Sequence, residues 1–291
     1  MPTIAETRGT TTIVSGRALG IAPAKRRIRV ESVLPAALGS ITGLLLGLTG
    51  AGGGIVAAPL LMLALHLSLP EAAPISLMAV ALGAGVGMAI GLRQGIVRYR
   101  AALLMAGAGI LASPLGIHLA RLLPERLLTL LFAVLLALIA QRQWNVHRRI
   151  QDDVLPCAID ADTGRFVWTR PCARTVAGAG LLAGFLSGLL GVGGGFILVP
   201  TLRRHTPLPM QSITATSLMV LTLVSLGGTA QWLAAGAVDW HVAIPFIGGS
   251  AVGMSAGRLL APRTPDLLLQ RAFAGLCAAI CASLALKALL G

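Results

Sequence analysis

The sequence predicts an all-α polytopic membrane protein. About eight transmembrane segments are expected, in two homologous four-segment repeats, the first segment of each broken or re-entrant at a glycine-rich motif. Three observations carry this prediction. The chain is 56% hydrophobic and 11% charged, where a soluble domain carries about 25% charged residues. Eight apolar stretches follow one another, at roughly 33–66, 72–92, 101–121, 126–143, 174–202, 212–235, 241–261 and 266–288. Most are near the ~20 residues that a spanning helix needs. Finally, Gly43, Gly47, Gly50, Gly52, Gly53, Gly54 and Pro59 return 141 residues later as Gly184, Gly188, Gly191, Gly193, Gly194, Gly195 and Pro200. Seven ungapped coincidences are a strong repeat signal.

Residues 1–32 form a polar, basic tail ending in Lys25-Arg26-Arg27-Ile28-Arg29. A basic stretch before an apolar run resembles a signal peptide. Here, however, the run is itself the first copy of the repeat, so cleavage would destroy it. A disordered cytosolic tail is the simpler expectation. Membrane repeat 1 spans 33–143. Its first segment is too long for one straight crossing: some 31 residues make about 46 Å of helix against a core of about 30 Å. A break at Gly50–Gly54 removes the excess, and a break at Gly191–Gly195 does the same for the fifth segment. The repeat runs on past the glycines, with Ser76-Leu77-Met78 matched by Ser217-Leu218-Met219 and Gly95 by Gly236. A polar linker, 144–173, separates repeat 1 from membrane repeat 2 at 174–288.

Lys and Arg counts suggest an orientation. With eight crossings and a cytoplasmic N-terminus, sixteen basic residues fall inside and seven outside. If the glycine segments are hairpins instead, each half crosses three times and the repeats are inverted; nine basic residues then lie inside and fourteen outside. The count favours eight crossings and parallel repeats. The +13 formal charge sits in tail and loops, where lipid head groups attract it, and it does not indicate nucleic acid. None of the ten acidic residues lies mid-span. Buried carboxylates mark proton relays and cation sites, so their absence suits an anion.

The glycine motif is the first candidate site. Non-helical backbone at membrane depth is tolerated only against protein or a wet cavity. The helix restarting after a break presents unpaired N–H groups and the positive end of its dipole, which can bind an anion without a charged side chain. Gly50, Gly52, Gly53, Gly54, Gly191, Gly193, Gly194 and Gly195 are therefore candidates. Gly43/Gly47 and Gly184/Gly188 fit close helix packing. The doubled G-x-x-x-G-x-x-G-x-G-G-G-x-x-x-x-P pattern in an eight-segment chain resembles the TauE/SafE family of sulfite exporters, over nearly all of 35–288. The resemblance implies a transporter in the bacterial inner membrane, moving sulfite, organosulfonates or related sulfur oxyanions by alternating access.

Hydroxyls come next. Ser76 and Ser217 occupy equivalent positions, Thr214 and Thr216 lie near the latter, and Thr49 and Ser187 border the motifs. Such groups can donate to an oxyanion, or bond back to their own helix. Gln231 is polar within an apolar run and could face a pathway. Arg93 and Arg258 could offer a planar fork to an oxyanion but fit snorkelling anchors better. His118 could relay protons but has no repeat partner. No His/Cys spacing suits a metal, and no cofactor is expected. Cys157 and Cys172 should be reduced if the linker is cytosolic. An intramembrane enzyme would need a nucleophile–base pair or a metal site, and neither is visible. The alternatives carried forward are a non-transporting accessory protein and a transporter of a metal cation or amino acid. The expected partners are a small anion and the lipid bilayer, without nucleic acid; a homo-oligomer is compatible with this reading.

Overall fold

The computed structural model describes residues 24–50, 53–144, 157, 169–234, 238–261 and 266–290. Among them the regular elements are all helices: α1 (Ala24–Thr49), α2 (Gly54–Ala64), α3 (Leu69–Arg93), α4 (Tyr99–Leu122), α5 (Glu125–Trp144), α6 (Arg170–Leu190), α7 (Gly195–His205), α8 (Met210–Ala234), α9 (Trp240–Leu260) and α10 (Asp266–Leu290). Gly52, residues 1–23 and most of the linker lie outside the described residues; the rest of the predicted tail, 24–32, is not disordered but forms the first turns of α1. Local chemistry sets several starts. Ser68 and Glu71 form a capping box at α3, Thr169 accepts from the Cys172 amide at α6, and Asp239 accepts from the His241 amide at α9. Each supplies a partner to a first-turn N–H that has none within its helix.

The first and fifth apolar segments are interrupted at the glycine motif, between α1 and α2 and between α6 and α7. Beyond each interruption the path of the chain departs from the favoured eight-crossing arrangement. Cys157 is disulfide-bonded to Cys172, in the first turn of α6, and its amide donates to the carbonyl of His205, the last residue of α7. The start of α6 and the end of α7 therefore lie at one end of the molecule, although α6 alone rises about 31 Å. The chain goes in along α6, turns at the glycines and comes back along α7. The α1–α2 pair does the same. Leu67, just after α2, lines a recess with Val238 and Asp239, and these precede α9, which starts level with the early part of α1. The Lys and Arg count could not detect this, because it sums charges over loops whose side depends on the number of crossings.

Packing is close and backbone to backbone. Gly39, Gly43 and Gly47 of α1 lie against Phe246, Ser250 and Met254 of α9 in that order, so the two helices run parallel. Gly180, Gly184 and Gly188 of α6 meet Met105, Gly109 and Ser113 of α4 in the same way. These are small-residue contacts of the kind membrane helices use, as expected for Gly43/Gly47 and Gly184/Gly188. Each hairpin therefore packs on a helix from the other half of the chain. Antiparallel α3 and α8 form the centre: Gly91 meets Ala215, and Gly228 meets Leu77.

Six helical stretches are long and apolar enough to cross a membrane: Ser32–Thr49, Leu69–Arg93, Tyr99–Leu122, Arg170–Leu190, Met210–Ala234 and Trp240–Leu260. The outward faces agree. Leu111, Leu115 and Leu122 of α4 and Val252 and Leu259 of α9 are all more than half exposed. A soluble protein rarely presents such continuous apolar surface; acyl chains accept it. The interior is equally distinctive. Among the described residues, the buried polar side chains are all serine or threonine, thirteen in number and uncharged.

Candidate functional site

The two turns meet. A Cβ placed on Gly54, the first residue of α2, would lie 3.2 Å from the carbonyl oxygen of Val192 in the other turn. Val80 of α3 reaches both sides: its methyls come to 3.2 Å from that point and 3.0 Å from the corresponding point on Gly193. Leu221 of α8 closes on Gly193 as well. The N-termini of α2 and α7 thus approach each other in the buried middle of the molecule, one from each end. The first-turn amides of each helix have no acceptor within it, and each N-terminus carries roughly half a positive elementary charge.

The backbone reaches this arrangement by different routes. In the second turn Gly191, Gly193 and Gly194 adopt φ of 70°, 72° and 73°. A side chain at Gly194 would combine a left-handed backbone with a collision against the Ala183 carbonyl, so glycine is required there. In the first turn Gly50 has φ 76°, whereas Gly53 is right-handed at −59°. Here a side chain does part of the work. Thr49 Oγ1 donates to the Leu45 carbonyl at 2.7 Å and accepts from the Gly53 amide at 3.1 Å. Thr49 is thus a cap on the break, and the Gly53 N–H is already taken.

The other predicted hydroxyls also separate. Ser76 Oγ bonds to the Ala73 carbonyl at 2.9 Å and to the Gly191 carbonyl at 2.5 Å. It staples α3 to the second turn, and its proton is committed. Ser217 is fully buried, and its Oγ meets no partner. Thr216 accepts from the Arg98 amide at 3.0 Å, holding the α3–α4 connection onto α8. Gln231 has a buried Oε1 without a partner. His118 and Arg93 are exposed on the outer surface. Cys157 and Cys172 are joined rather than reduced. Among the described residues no three His, Cys, Asp or Glu side chains come together.

Of a further group, sequence reasoning named Ser187 and passed over the rest. Ser113 of α4, Ser187 of α6 and Ser225 of α8 are 0% exposed and Thr229 is 7% exposed, and none has a hydrogen-bond partner. Ser225 Oγ lies 3.1 Å from where a Cβ on Gly193 would be. Ser113 Oγ lies 3.1 Å from that point on Gly188 and 3.7 Å from that on Gly228. One signal was available in the sequence. The positions 141 residues away hold Met254, Leu46, Ala84 and Met88, so each of these hydroxyls replaces an apolar residue in the other copy.

A recess of about 240 Å³ opens at the end where α3 begins, lined by Leu67, Glu71, Ile75, Val238 and Asp239. Both carboxylates are helix caps: Glu71 accepts from the Ser68 amide and hydroxyl, and Asp239 from the His241 amide.

Interlocked hairpins, a hydroxyl-only interior and an apolar exterior define a multi-pass helical membrane protein with a buried, uncharged polar centre. The chain belongs to the TauE/SafE sulfite exporter family, whose sequence profile matches residues 35–284. It is similar to a "Probable membrane transporter protein" of Xylella fastidiosa strain 9a5c, 32% identical over 231 residues, covering 77% of this chain and 83% of that protein. It also resembles the Bacillus subtilis strain 168 "Probable membrane transporter protein YunE", at 24% identity over 77% of this chain and 86% of the relative. No solved structure matches significantly.

Proposed function

We propose that the protein is a secondary transporter of a small anion, sulfite or a related sulfur oxyanion or organosulfonate, working by alternating access in the bacterial inner membrane. The observation that carries this is the meeting of the α2 and α7 N-termini at Gly54, Val192 and Gly193. Oppositely directed broken helices at the midplane are how many secondary transporters hold their cargo. In this reading the repeats are 33–143 and 174–288, inverted with respect to each other. The exchange of partners, α1 with α9 and α6 with α4, follows from that symmetry. The amides around Gly54 and Gly193–Gly195 face the anion, the Gly53 amide being held by Thr49, and Ser217 adds a donor. Family membership and the names of the relatives support transport; the sulfur oxyanion comes from the family's description.

The disulfide bears on orientation. A stable disulfide needs an oxidising compartment. On this reading the Cys157–Cys172 end lies outside and, across the inverted repeats, both chain termini lie in the cytoplasm. The basic-residue bias points the other way, but it is a statistical tendency, and the covalent bond is the stronger constraint.

The test is flux. Purified protein in proteoliposomes should carry sulfite or methanesulfonate saturably, each competing with the other. Saturable movement of a metal cation or a neutral amino acid, with none of either sulfur anion, would overturn the assignment.

A further inference from the structure

We infer that the anion is held on one side of the centre only, by the hydroxyls of Ser113, Ser187, Ser225 and Thr229 beside the second glycine turn, and that this site accepts monoanions in preference to dianions. The inference rests on the transport reading and sharpens its substrate class.

Unmet hydrogen bonds mark this group, together with Ser217 Oγ, Gln231 Oε1, Arg98 Nε and Trp232 Nε1. Many other interior hydroxyls are discharged locally: Thr42, Thr49, Thr129, Thr206 and Thr222 each donate to a carbonyl three or four residues back. Ser113, Ser187, Ser225 and Thr229 do not, although they are as deeply buried. A buried hydroxyl without a partner is costly, and four around one turn form a set of donors lacking an acceptor. Ser225 is directed at Gly193, 3.1 Å from the place of a Cβ there, immediately before the first turn of α7. Its hydroxyl thus stands beside the N-terminal end of α7, where the Ile197 amide is taken by the Gly194 carbonyl and the two amides before it have no acceptor within the helix. A sulfonate or bisulfite group, with three oxygens on one pole, matches several uncharged donors at once.

Charge sets the preference among anions. No lysine, arginine or histidine is fully buried among the residues described, although Arg98 has a buried Nε and Arg258 is half-buried beside Gly47. At the point where the turns meet, the positive potential on view is the helix ends, roughly half an elementary charge each from α2 and α7. Together they offset about one negative charge. The cost of desolvating an ion rises with the square of its charge, so a dianion would retain a large uncompensated penalty here. The mirror region has a hydroxyl, but that one is taken: Ser250 Oγ, Leu46 Cδ2 and Met254 Cβ lie 3.1, 3.2 and 3.9 Å from the Cβ position of Gly83, and Ser250 Oγ donates to the Ala79 carbonyl.

The experiment is calorimetric titration of the full chain in detergent micelles with methanesulfonate and with sulfate. Methanesulfonate should bind at least about tenfold more tightly. Ser113→Ala and Ser225→Ala should each weaken methanesulfonate by about tenfold, the loss expected for one hydrogen bond to a charged group. Thr222→Ala, whose hydroxyl is discharged within α8, should leave binding unchanged. Without ligand, the melting temperatures of Ser113→Ala and Ser225→Ala should hold or rise, because each removes an unpartnered polar atom; a packing role would lower them. Equal or tighter sulfate binding by the native protein, which needs no variant to fold, overturns the charge preference. Native affinity for methanesulfonate in both serine variants overturns the hydroxyl site while leaving the transport reading intact. A native protein that binds neither these anions nor sulfite removes the transport reading and this one with it.

Discussion

The two glycine turns carry the same motif, yet the side chains at three equivalent positions beside them differ, apolar at the first and hydroxyl at the second. Around the first stand Leu46, Ala84 and Met254, all buried; around the second stand Ser187, Ser225 and Ser113 at the equivalent positions. The backbones differ in parallel. Three residues of the second turn have positive φ, whereas the first relies on Thr49 to receive the Gly53 amide. On the proposed reading the two copies of the motif keep one shape, two helix ends meeting head to head, while the side chains around them differ. The first turn's Thr49 is bonded to the Gly53 amide, whereas Ser225, beside Gly193 in the second, has no partner.

The comparison breaks most readily at Leu46. Exchanging it for the residue at the equivalent position, Leu46→Ser, should cost about 4 kcal/mol, combining lost packing with a new unpartnered hydroxyl. A melting curve in micelles measures this. The variant should gain no affinity for methanesulfonate, because a single hydroxyl does not recreate the other pocket. Tolerance of serine at Leu46 would mean that the first turn is not the packed side.

Opening the disulfide comes next. Cys157–Cys172 closes a fifteen-residue separation and fastens the end of α7, through the His205 carbonyl, to the start of α6. Cys157→Ser should cost about 3 kcal/mol by loop closure alone. The loss should be confined to the second hairpin, read as faster hydrogen exchange in α7 but not in α2. In intact cells, a membrane-impermeant maleimide should label neither cysteine before reduction and both after. Absence of labelling even after reduction, with labelling appearing once the cells are permeabilised, would place that end in the cytoplasm and reverse the proposed orientation.

Gly194→Ala tests the backbone difference itself. The substitution forces a side chain into φ 73° and against the Ala183 carbonyl, costing about 2 kcal/mol or more. Gly53→Ala collides with the backbone at Leu46 but keeps a right-handed φ. Its Cβ would come closer to the Leu46 nitrogen than a Cβ at Gly194 would to the Ala183 oxygen, so a loss milder by about 1 kcal/mol follows only where backbone conformation outweighs sterics. Equal losses in melting temperature would indicate that sterics, not backbone conformation, set the second turn.

These contrasts mark what the chain disclosed in advance. The duplicated glycines located both breaks to the residue, because a motif at fixed offset is a local signal. The apolar runs located the helices for the same reason. The hairpins were not legible from length: a segment of 31 residues is equally well explained by a bent crossing and by a turn back. The discriminating contact, Cys157 with Cys172 and His205, is tertiary. Hydroxyl positions were half legible. Ser76 and Ser217 stood out because they repeat, whereas Ser113, Ser225 and Thr229 do not repeat and were passed over. Symmetry was read as function, yet unsymmetrical hydroxyls are left without partners as Ser217 is, while its symmetry mate Ser76 is bonded.

Ser76 and Ser217 yield the smallest and sharpest prediction, since they are the same residue at equivalent positions with opposite circumstances. Ser76 bridges two carbonyls, one of them Gly191 in the second turn. Ser76→Ala leaves that buried carbonyl short of a donor and should cost about 1.5 kcal/mol. Ser217 meets no such acceptor, so Ser217→Ala removes only an unsatisfied group and should be neutral or slightly stabilising in the absence of ligand. The double variant should equal the sum of the two, because the sites share no partner. If Ser217→Ala lost as much as Ser76→Ala, both serines would be staples of the same kind, and the division between a packed turn and a polar one would not extend to the helices that hold them.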